Sequence, residues 1–243
     1  MSQYLDFHYG DEYFQVANFA EACAQHCISA AQASGISGDG SRALDLGCAV
    51  GRSSFELAKY FDQVVGLDFS ARFIASAVEL QQTGIKRYVI RDEGELVSYK
   101  EIQLSDLGLE SNADRCQFMQ ADACNLHQKY TGYDLIFAGN LIDRLYAPKA
   151  LLSTIHERMN QGGLLILASP YTWLEEYTER KEWLGGFKDA SGENFTTLDG
   201  LKEVLGVHFD LLGEPIDVPF VIRETRRKFQ HTLSQMTVWK LVR

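Results

Sequence analysis

The chain alternates short apolar runs with segments of helical periodicity. The apolar runs have the length of buried strands and cover residues 43–46, 63–67, 116–119, 133–138 and 164–168. Apolar residues spaced three and four apart follow most of these runs, over residues 53–60, 71–80, 148–159 and 198–205. Such alternation is typical of an α/β fold around a mostly parallel sheet with helices on both faces. Residues 236–242 alternate apolar and polar positions and predict a last strand.

Three segments interrupt this alternation within what we expect to be a single domain, residues 1–243. Residues 1–40 comprise an aromatic segment without clear period and a helix that Asn18 caps. Residues 86–104 contain two apolar stretches around a polar turn, which predicts an inserted hairpin. Residues 170–195 are rich in aromatic and charged positions, and we expect them to form a lid-like insertion.

A glycine turn joins the first strand to its helix. Gly47 and Gly51 lie in this turn, and Asp68 follows the second strand. A turn of this kind brings backbone N–H groups close to a ligand. An acidic residue after the next strand can accept hydrogen bonds from ribose hydroxyl groups. The G-x-x-x-G spacing lacks the third glycine of the dinucleotide fingerprint, and the Walker pattern is absent from the sequence. The turn therefore predicts an adenosine-type ligand and disfavours a nicotinamide or flavin.

Composition limits the choice of partners. The chain has 33 acidic and 23 basic residues and a net charge of −10, which disfavours nucleic acid and favours a small or cationic ligand. Five cysteines form no paired C-x-x-C sets, so we expect no disulfide framework, no metal site and a reducing, cytoplasmic location. No leader pattern and no apolar run near the roughly 18 residues of a membrane span are visible, so we expect no membrane association. The oligomeric state is left open.

The strand ends resemble a known set of cofactor motifs. Asp45-x-Gly47-x-x-x-Gly51, Asp68, Asp122-Ala123 and Asn140 are similar to the sequential motifs of class I S-adenosylmethionine-dependent methyltransferases. The resemblance implies a Rossmann-like fold with a seven-stranded sheet and S-adenosylmethionine as cofactor. It differs at Ala49, where many members have glycine, and a methyl group there narrows the approach to the cofactor.

The same resemblance implies a role for each matching residue. Asp45, Gly47 and Gly51 would serve the amino acid moiety and the turn. Asp68 would bind the ribose, Asp122 and Ala123 the adenine, and Asn140 would form the floor near the methionine. The expected cofactor set is completed by the neighbouring Cys48, Arg52 and Phe69.

Longer segments resemble a narrower family. The chain is similar to the 4-mercaptohistidine (5-thiohistidine) N-methyltransferases in His8-Tyr9-Gly10 and in residues 45–57, 140–145, 169–176, 183–186 and 219–228. That family finishes ovothiol biosynthesis, so the resemblance implies methyl transfer to an imidazole nitrogen of a small thiohistidine. Two alternatives stay open: another small thiol, amine or phenol acceptor, and a non-catalytic module that binds S-adenosylmethionine.

The expected acceptor site needs three kinds of group. A hydrogen-bond acceptor must hold the non-reacting ring N–H or take its proton, and the candidates in order are Asp143, Tyr9 and His231. An arginine fork must clamp the substrate carboxylate, for which we expect Arg223 and Arg144. Aromatic walls could enclose the imidazole and shield the sulfonium, and these are Tyr9, Tyr171, Trp173 and Trp183. Asn140 is expected to contact the acceptor as well as the cofactor.

Overall fold

The computed structural model describes residues 1–242. In chain order the strands are β1 (Arg42–Leu46), β2 (Gln63–Asp68), β3 (Ile85–Glu93), β4 (Leu96–Gln103), β5 (Cys116–Gln120), β6 (Tyr133–Gly139), β7 (Met159–Ser169), β8 (Phe187–Lys188), β9 (Asn194–Phe195), β10 (Phe209–Leu211), β11 (Ile216–Thr225) and β12 (Lys228–Leu241). The α-helices are α1 (Ser2–Tyr9), α2 (Phe19–Ala33), α3 (Arg52–Leu57), α4 (Ala71–Thr83), α5 (Pro148–Thr154) and α6 (Thr197–Leu205). No helix in this part of the chain is long and apolar enough to cross a membrane.

Eight strands form the central sheet within residues 1–242. Five of them run parallel in the order β5-β2-β1-β6-β7. β12 pairs antiparallel with β7, and both β10 and β11 pair antiparallel with β12. The expected α/β fold with a mostly parallel sheet is therefore confirmed. The sheet has eight strands where seven were expected, because residues 216–225 add a strand to the N-terminal half of β12.

Alternate side chains of the parallel strands fill two apolar cores. Ala43 and Leu135 point to one face of the sheet, where they pack with residues of α1, α2, α3 and α4. Leu44 and Ile136 point to the other face and pack with residues of α5 and α6. Strands that are buried on both faces have continuous apolar sequences, and these apolar runs predicted the positions of the strands. Two helices also begin where expected, since Asn18 accepts from the Glu21 N–H and Ser70 from the Phe73 N–H.

The N-terminal segment, expected to be irregular, forms helix α1 over Ser2–Tyr9. Its Asp6 carboxylate is buried and accepts the hydroxyl of Tyr88 on β3 at 3.0 Å and that of Tyr13 at 3.2 Å. Burial raises the pKa of Asp6, and the two hydroxyl groups oppose that shift. Helix α1 is thus fastened to the β3–β4 hairpin, which occupies the place predicted for an inserted hairpin.

A cap stands above the carboxyl ends of the parallel strands. β12 continues past the end of β7, because Gln235 pairs with Ser169 and residues 228–234 extend beyond it. This extension pairs with β11, and the turn between them reaches the hairpin, where the Arg226 N–H donates to the Asp92 carbonyl at 3.1 Å. We call α1, the β3–β4 hairpin and residues 216–234 the cap. It closes over the end of the sheet where open α/β folds place ligands.

Candidate active site

A cavity of about 350 Å³ lies between the cap and the ends of β1, β2 and β6. Its volume is within the range of small-molecule sites. The sheet side of the lining comprises Phe19, Ala20, Asp45, Gly47, Ala49, Ser53, Asp68, Phe73, Phe137, Gly139, Asn140, Leu141, Asp143, Arg144 and Pro170. The cap contributes Gln3, Tyr4, Phe7, His8, Phe220, Ile222 and Gln230.

The glycine turn forms the floor of the cavity. Gly47 has φ +73°, and a Cβ atom there would lie 2.9 Å from the Cδ1 of Leu141. Ala49 is also left-handed, at φ 47°, and its N–H donates to the Asp68 carboxylate at 3.0 Å. Ala49 stands where many family members have glycine, and it adopts a conformation that glycine favours. Its hydrogen bond to Asp68 connects this residue to the end of β2. This strained backbone conformation lies at the site itself.

Asp45 is a buried carboxylate beneath the turn. The hydroxyl groups of Ser53 and Ser54 both donate to its Oδ2, each at 2.6 Å. Burial raises the pKa of Asp45 to about 6, the two hydroxyl groups oppose the rise and the nearby charge of Asp68 adds to it. The floor thus contains a carboxylate whose ionisation a cationic ligand would favour.

Asp68 lies at the end of β2 beside the turn. Its carboxylate accepts from the Ser70 N–H at 2.7 Å and from the Ala49 N–H, while burial raises its pKa. Phe69 follows with 73% of its surface exposed, outside the cavity. Asp122 and Ala123 also lie outside it; Asp122 accepts from the Cys124 N–H at 2.9 Å and from the Tyr146 hydroxyl at 2.8 Å.

Three other expected cofactor residues lie behind the floor. Cys48 and Gly51 are in the turn, and Gly51 precedes α3 with φ +90°. The Arg52 guanidinium is buried and pairs with Glu56 at 2.6 Å and Glu21 at 2.9 Å. Because the guanidinium of Arg52 is paired with two glutamates of the protein, its contacts stabilise the start of α3 after the turn.

Tyr9 also lies behind the floor, next to Arg52. Its hydroxyl donates to the Val50 carbonyl at 2.8 Å, and the Arg52 guanidinium lies 5.7 Å from the centre of its ring. Tyr9 was expected to face the acceptor, but the cavity is lined by the preceding residue, His8. The cause is the helical rotation between consecutive residues of α1, which the sequence pattern does not reveal.

His8 is the functional candidate that sequence reasoning missed. Its side chain is buried, and Nδ1 has no hydrogen-bond partner in the described structure. Burial and, secondarily, the positive charge of Arg52 lower the pKa of His8 to about 3. The signal for it is visible once α1 is known to be a helix, because Gln3, Tyr4, Phe7 and His8 then share one face.

Asn140 and Asp143 follow β6 at the edge of the floor. Asn140 is left-handed at φ 51°, and its Oδ1 accepts from the Ser234 hydroxyl on β12 at 2.6 Å. Asp143 is fully buried, and its Oδ2 accepts from the Arg144 Nη1 at 2.9 Å and from the N–H and hydroxyl of Thr172 at 3.0 and 2.8 Å. Its Oδ1 has no partner within residues 1–242. Asp143 thus brings an unused acceptor atom to the cavity.

The two tryptophans expected around the acceptor lie in the second core. The indole N–H of Trp173 donates to the Thr197 hydroxyl at 2.9 Å, and that of Trp183 donates to the Thr178 carbonyl at 2.8 Å. Their rings stack with centres 6.3 Å apart. Of residues 170–195, Pro170 lines the cavity, whereas the indole N–H groups of the two tryptophans are satisfied away from it by Thr197 and Thr178.

Three further candidates lie around the cavity rather than in its lining. Tyr171 donates its hydroxyl to Gln235 at 3.1 Å. Arg223 pairs with Asp92 of the β3–β4 hairpin, and only 9% of its side chain is exposed. His231 is exposed on β12, where it pairs in register with Val221. The structure therefore uses Arg223 to join two parts of the cap and leaves Arg144 as the arginine that lines the cavity.

The cavity combines carboxylates on its floor with aromatic walls and two unpaired polar atoms. No group of three or more His, Cys, Asp or Glu side chains within residues 1–242 could hold a metal ion. The arrangement suits a reaction that depends on binding and alignment of a cationic and an aromatic ligand.

Comparisons with known proteins identify the class. The fold matches that of an S-adenosylmethionine-dependent methyltransferase from Clostridium acetobutylicum, with 13% identity, a TM-score of 0.59 and 93% of each chain covered. It also matches magnesium protoporphyrin IX methyltransferase from Synechocystis with bound S-adenosylhomocysteine, with 16% identity, a TM-score of 0.57 and coverage of 98% of this chain and 93% of that one. The fold is therefore the Rossmann-like fold of class I S-adenosylmethionine-dependent methyltransferases.

The family follows from a match in sequence. A family model described as a methyltransferase domain covers residues 37–195, and the chain belongs to this family of S-adenosylmethionine-dependent methyltransferases. A curated relative, phosphoethanolamine N-methyltransferase 1 of Arabidopsis thaliana, is 26% identical over 145 residues. The match covers 58% of this chain and 24% of the relative, so it spans about a quarter of that protein's length.

The floor fits S-adenosylmethionine as cofactor. Asp45 and Asp68 are carboxylates that suit the positive charges and hydroxyl groups of this molecule, and the left-handed backbone at Gly47, with φ +73°, forms the turn between them. When bound, the cofactor supplies an electrophilic methyl group on a sulfonium. The specific contacts assigned to Asp45, Asp68, Asp122 and Asn140 stay predictions.

Proposed function

We propose that the protein methylates an imidazole nitrogen of 5-thiohistidine and so forms ovothiol. The observation that carries the proposal is the buried, unpartnered Oδ1 of Asp143 in an aromatic cavity, beside Arg144 and next to the cofactor floor. A small aromatic amino acid with a ring N–H and a carboxylate matches these groups. The sequence resemblance to the thiohistidine N-methyltransferases supports the same acceptor.

Asp143 would select the nitrogen that reacts. Its Oδ2 is held by Arg144 and Thr172, so the position of the carboxylate is fixed while Oδ1 stays available. An N–H of the substrate ring donated to Oδ1 would leave the lone pair of the other ring nitrogen directed at the methyl group. Because a buried unpaired carboxylate oxygen is costly, substrate binding would relieve that cost.

Arg144 would hold the substrate carboxylate. Its Nη1 donates to the Asp143 carboxylate and to the Thr172 carbonyl, and its Nη2 donates to the Thr172 hydroxyl. The guanidinium also lies over the Tyr177 ring, 5.0 Å from its centre. These contacts fix its orientation, and a guanidinium with five N–H donors retains some for a ligand. Arg144 therefore takes over the clamp role first expected mainly of Arg223.

The transfer needs alignment more than acid–base chemistry. The ring nitrogen would form an N–C bond with its lone pair while the S–C bond breaks and that electron pair remains on the departing thioether sulfur. The charge left on the methylated ring is lost with the N–H proton, for which Asp143 is the nearest unpaired acceptor that the lining offers. The Arabidopsis relative is likewise named as an N-methyltransferase.

Product analysis tests this function directly. Pure protein is incubated with S-adenosylmethionine and 5-thiohistidine, and mass spectrometry is expected to find a singly N-methylated product together with S-adenosylhomocysteine. Histidine, a simple thiol, a phenol and phosphoethanolamine serve as competing acceptors. Preferential methylation of one of these would replace the substrate assignment, and cofactor binding without turnover of any acceptor would indicate a non-catalytic module.

The cell compartment and partners follow as part of the proposal. All five cysteines lie within the described residues and are free, which agrees with a reducing cytoplasm. A net charge of −10 agrees with a small-molecule substrate rather than nucleic acid.

A further inference from the structure

One corner of the cavity combines a cluster of phenyl rings with the imidazole of His8. The ring centres of Phe7 and Phe220 lie 5.6 Å apart, those of Phe19 and Phe220 lie 5.1 Å apart, and those of Phe7 and Phe19 lie 6.0 Å apart. The His8 ring stands edge-on to Phe7 at 5.3 Å. All four side chains line the cavity. The Tyr4 ring, which also lines the cavity, stacks on the His8 ring with the two ring centres 6.4 Å apart. The corner is therefore mainly aromatic, with one imidazole among its rings.

The His8 imidazole is neutral and lacks a protein partner. Burial, with a smaller contribution from Arg52, holds its pKa far below its usual value, so it carries no charge at neutral pH. A neutral imidazole has one N–H donor and one acceptor nitrogen. Nδ1 makes no hydrogen bond within residues 1–242, so no protein group there fixes its tautomer. A ligand atom can therefore determine which nitrogen of His8 carries the proton.

Few ligand groups suit these surroundings. The positive charge of Arg52 nearby opposes an ammonium group, and a carboxylate would find one donor where it needs several. A sulfur atom is soft and polarizable, packs favourably against aromatic rings and needs only a single hydrogen bond. Asp143 and Arg144 already offer partners for the ring N–H and the carboxylate of an amino acid.

We propose that His8, together with Phe7, Phe19 and Phe220, forms a subsite for the sulfur atom of the acceptor. This inference rests on the proposed function, since it concerns the group that distinguishes thiohistidine from histidine. An N–H of His8 donates to the sulfur, and the three phenyl rings surround it. The subsite thereby makes His8 a residue that determines substrate specificity.

The test compares two ligands that differ only in the sulfur atom. Calorimetry on protein saturated with S-adenosylhomocysteine measures the dissociation constants of 5-thiohistidine and histidine, and their ratio reports the contribution of the sulfur. In His8→Leu this ratio is expected to fall by about tenfold or more, the effect of one hydrogen bond. Asp143→Asn is the matched control, because it replaces the carboxylate partner of the ring N–H, which both ligands possess, with a neutral amide and should weaken both alike.

Two further variants keep the test decisive if His8→Leu does not fold. His8→Asn retains a polar atom near the position of Nδ1 and should preserve most of the ratio, whereas Phe220→Leu removes one ring and should lower it several-fold. A ratio unchanged in both His8→Leu and Phe220→Leu would overturn the sulfur subsite while leaving the proposed function standing. If the unaltered protein binds 5-thiohistidine no better than histidine and methylates neither, the proposed function itself fails.

Discussion

The carboxylates of the turn, Asp45 and Asp68, differ from the side chains on the expected acceptor side, His8 and Asp143, in how their polar atoms are satisfied. On the floor, Asp45 and Asp68 receive hydrogen bonds from hydroxyl and backbone donors of the protein. On the acceptor side, His8 and Asp143 each carry a buried atom without a partner. Groups that are already hydrogen-bonded hold a fixed geometry, whereas unpaired buried groups are satisfied only when a ligand arrives. Under the proposed function, this difference corresponds to a preformed cofactor site and an acceptor site that the substrate completes.

The largest expected effect tests the acceptor side. Asp143→Asn should lower kcat/KM for the acceptor by about 100-fold or more, because it removes a negatively charged acceptor of the ring proton. The dissociation constant of S-adenosylhomocysteine should change by less than about threefold, since the floor keeps its own hydrogen bonds. Steady-state kinetics and calorimetry measure the two effects. Asp210→Asn, exposed on β10, is the matched control. Equal losses in both measurements would remove the division between floor and acceptor side.

Asp68→Ala should produce the next largest effect, on the cofactor. Loss of a carboxylate that accepts ribose hydroxyls is expected to raise the dissociation constant of S-adenosylhomocysteine by about 10- to 100-fold. At saturating cofactor, kcat should stay within a few-fold of the unaltered value. Calorimetry is paired with thermal melting, because the substitution also frees the Ala49 and Ser70 N–H groups. A lower melting temperature with unchanged affinity would make Asp68 a structural residue only.

The ionisation of Asp45 predicts a smaller effect of pH on cofactor binding. Its pKa of about 6 lies above that of an ordinary carboxyl, so protonation begins just below neutral pH. A protonated Asp45 no longer attracts a cationic ligand, and the dissociation constant of S-adenosylmethionine should rise by about tenfold between pH 7 and pH 5. Asp45→Asn should bind more weakly and lose this pH dependence.

The stability of the unligated protein should respond to Asp45 with the opposite sign. A carboxyl whose folded-state pKa is raised contributes stability below its usual pKa, and that contribution is lost as the pH rises through about 6. At pH 7 the unligated Asp45→Asn protein should therefore melt no lower than the unaltered one. A clearly lower melting temperature, with the pH dependence of binding intact, would assign the titration to another group.

Arg223→Ala should have the smallest effect on catalysis. Its partner is Asp92 on the β3–β4 hairpin, so the substitution should lower the melting temperature by about 2–6 °C and change kcat/KM by less than about threefold. Asp92→Ala should behave similarly, and the double variant should add little. If Arg223→Ala instead raises KM for the acceptor tenfold without altering stability, Arg223 contacts the substrate as the sequence first suggested.

The floor could be predicted from the sequence because its information is local. Asp45, Gly47 and Asp68 lie within a short stretch, and strand ends bring them together by the rules of parallel sheets. Asn140 and Asp143 follow another apolar run for the same reason. Continuous apolar runs and helix caps located the elements that carry these residues.

The cap could not be predicted in the same way, because its parts are far apart in the sequence and meet through individual side chains. Helix α1 has no clean apolar stripe, since one side packs on the protein and another lines the cavity. The sequence pattern therefore does not show that His8, and not Tyr9, lines the cavity. Arg223 looked like a ligand clamp because its partner, Asp92, is 131 positions away. Trp173 and Trp183 belonged to a conspicuous motif whose role in packing depends on Thr197 and Thr178.

β12 passes without interruption from its pairing with β7 in the sheet to the wall of the cavity. Trp239 on this strand is buried in the second core, Ser234 holds Asn140, and Gln230 lines the cavity. Because side chains alternate along a strand, insertion or deletion of one residue between Gln230 and Gln235 would turn the outer part of β12 over. Residues that now face the ligand would then face solvent. A one-residue change in the length of β12 would therefore alter several positions of the cavity wall at once, whereas a substitution alters one.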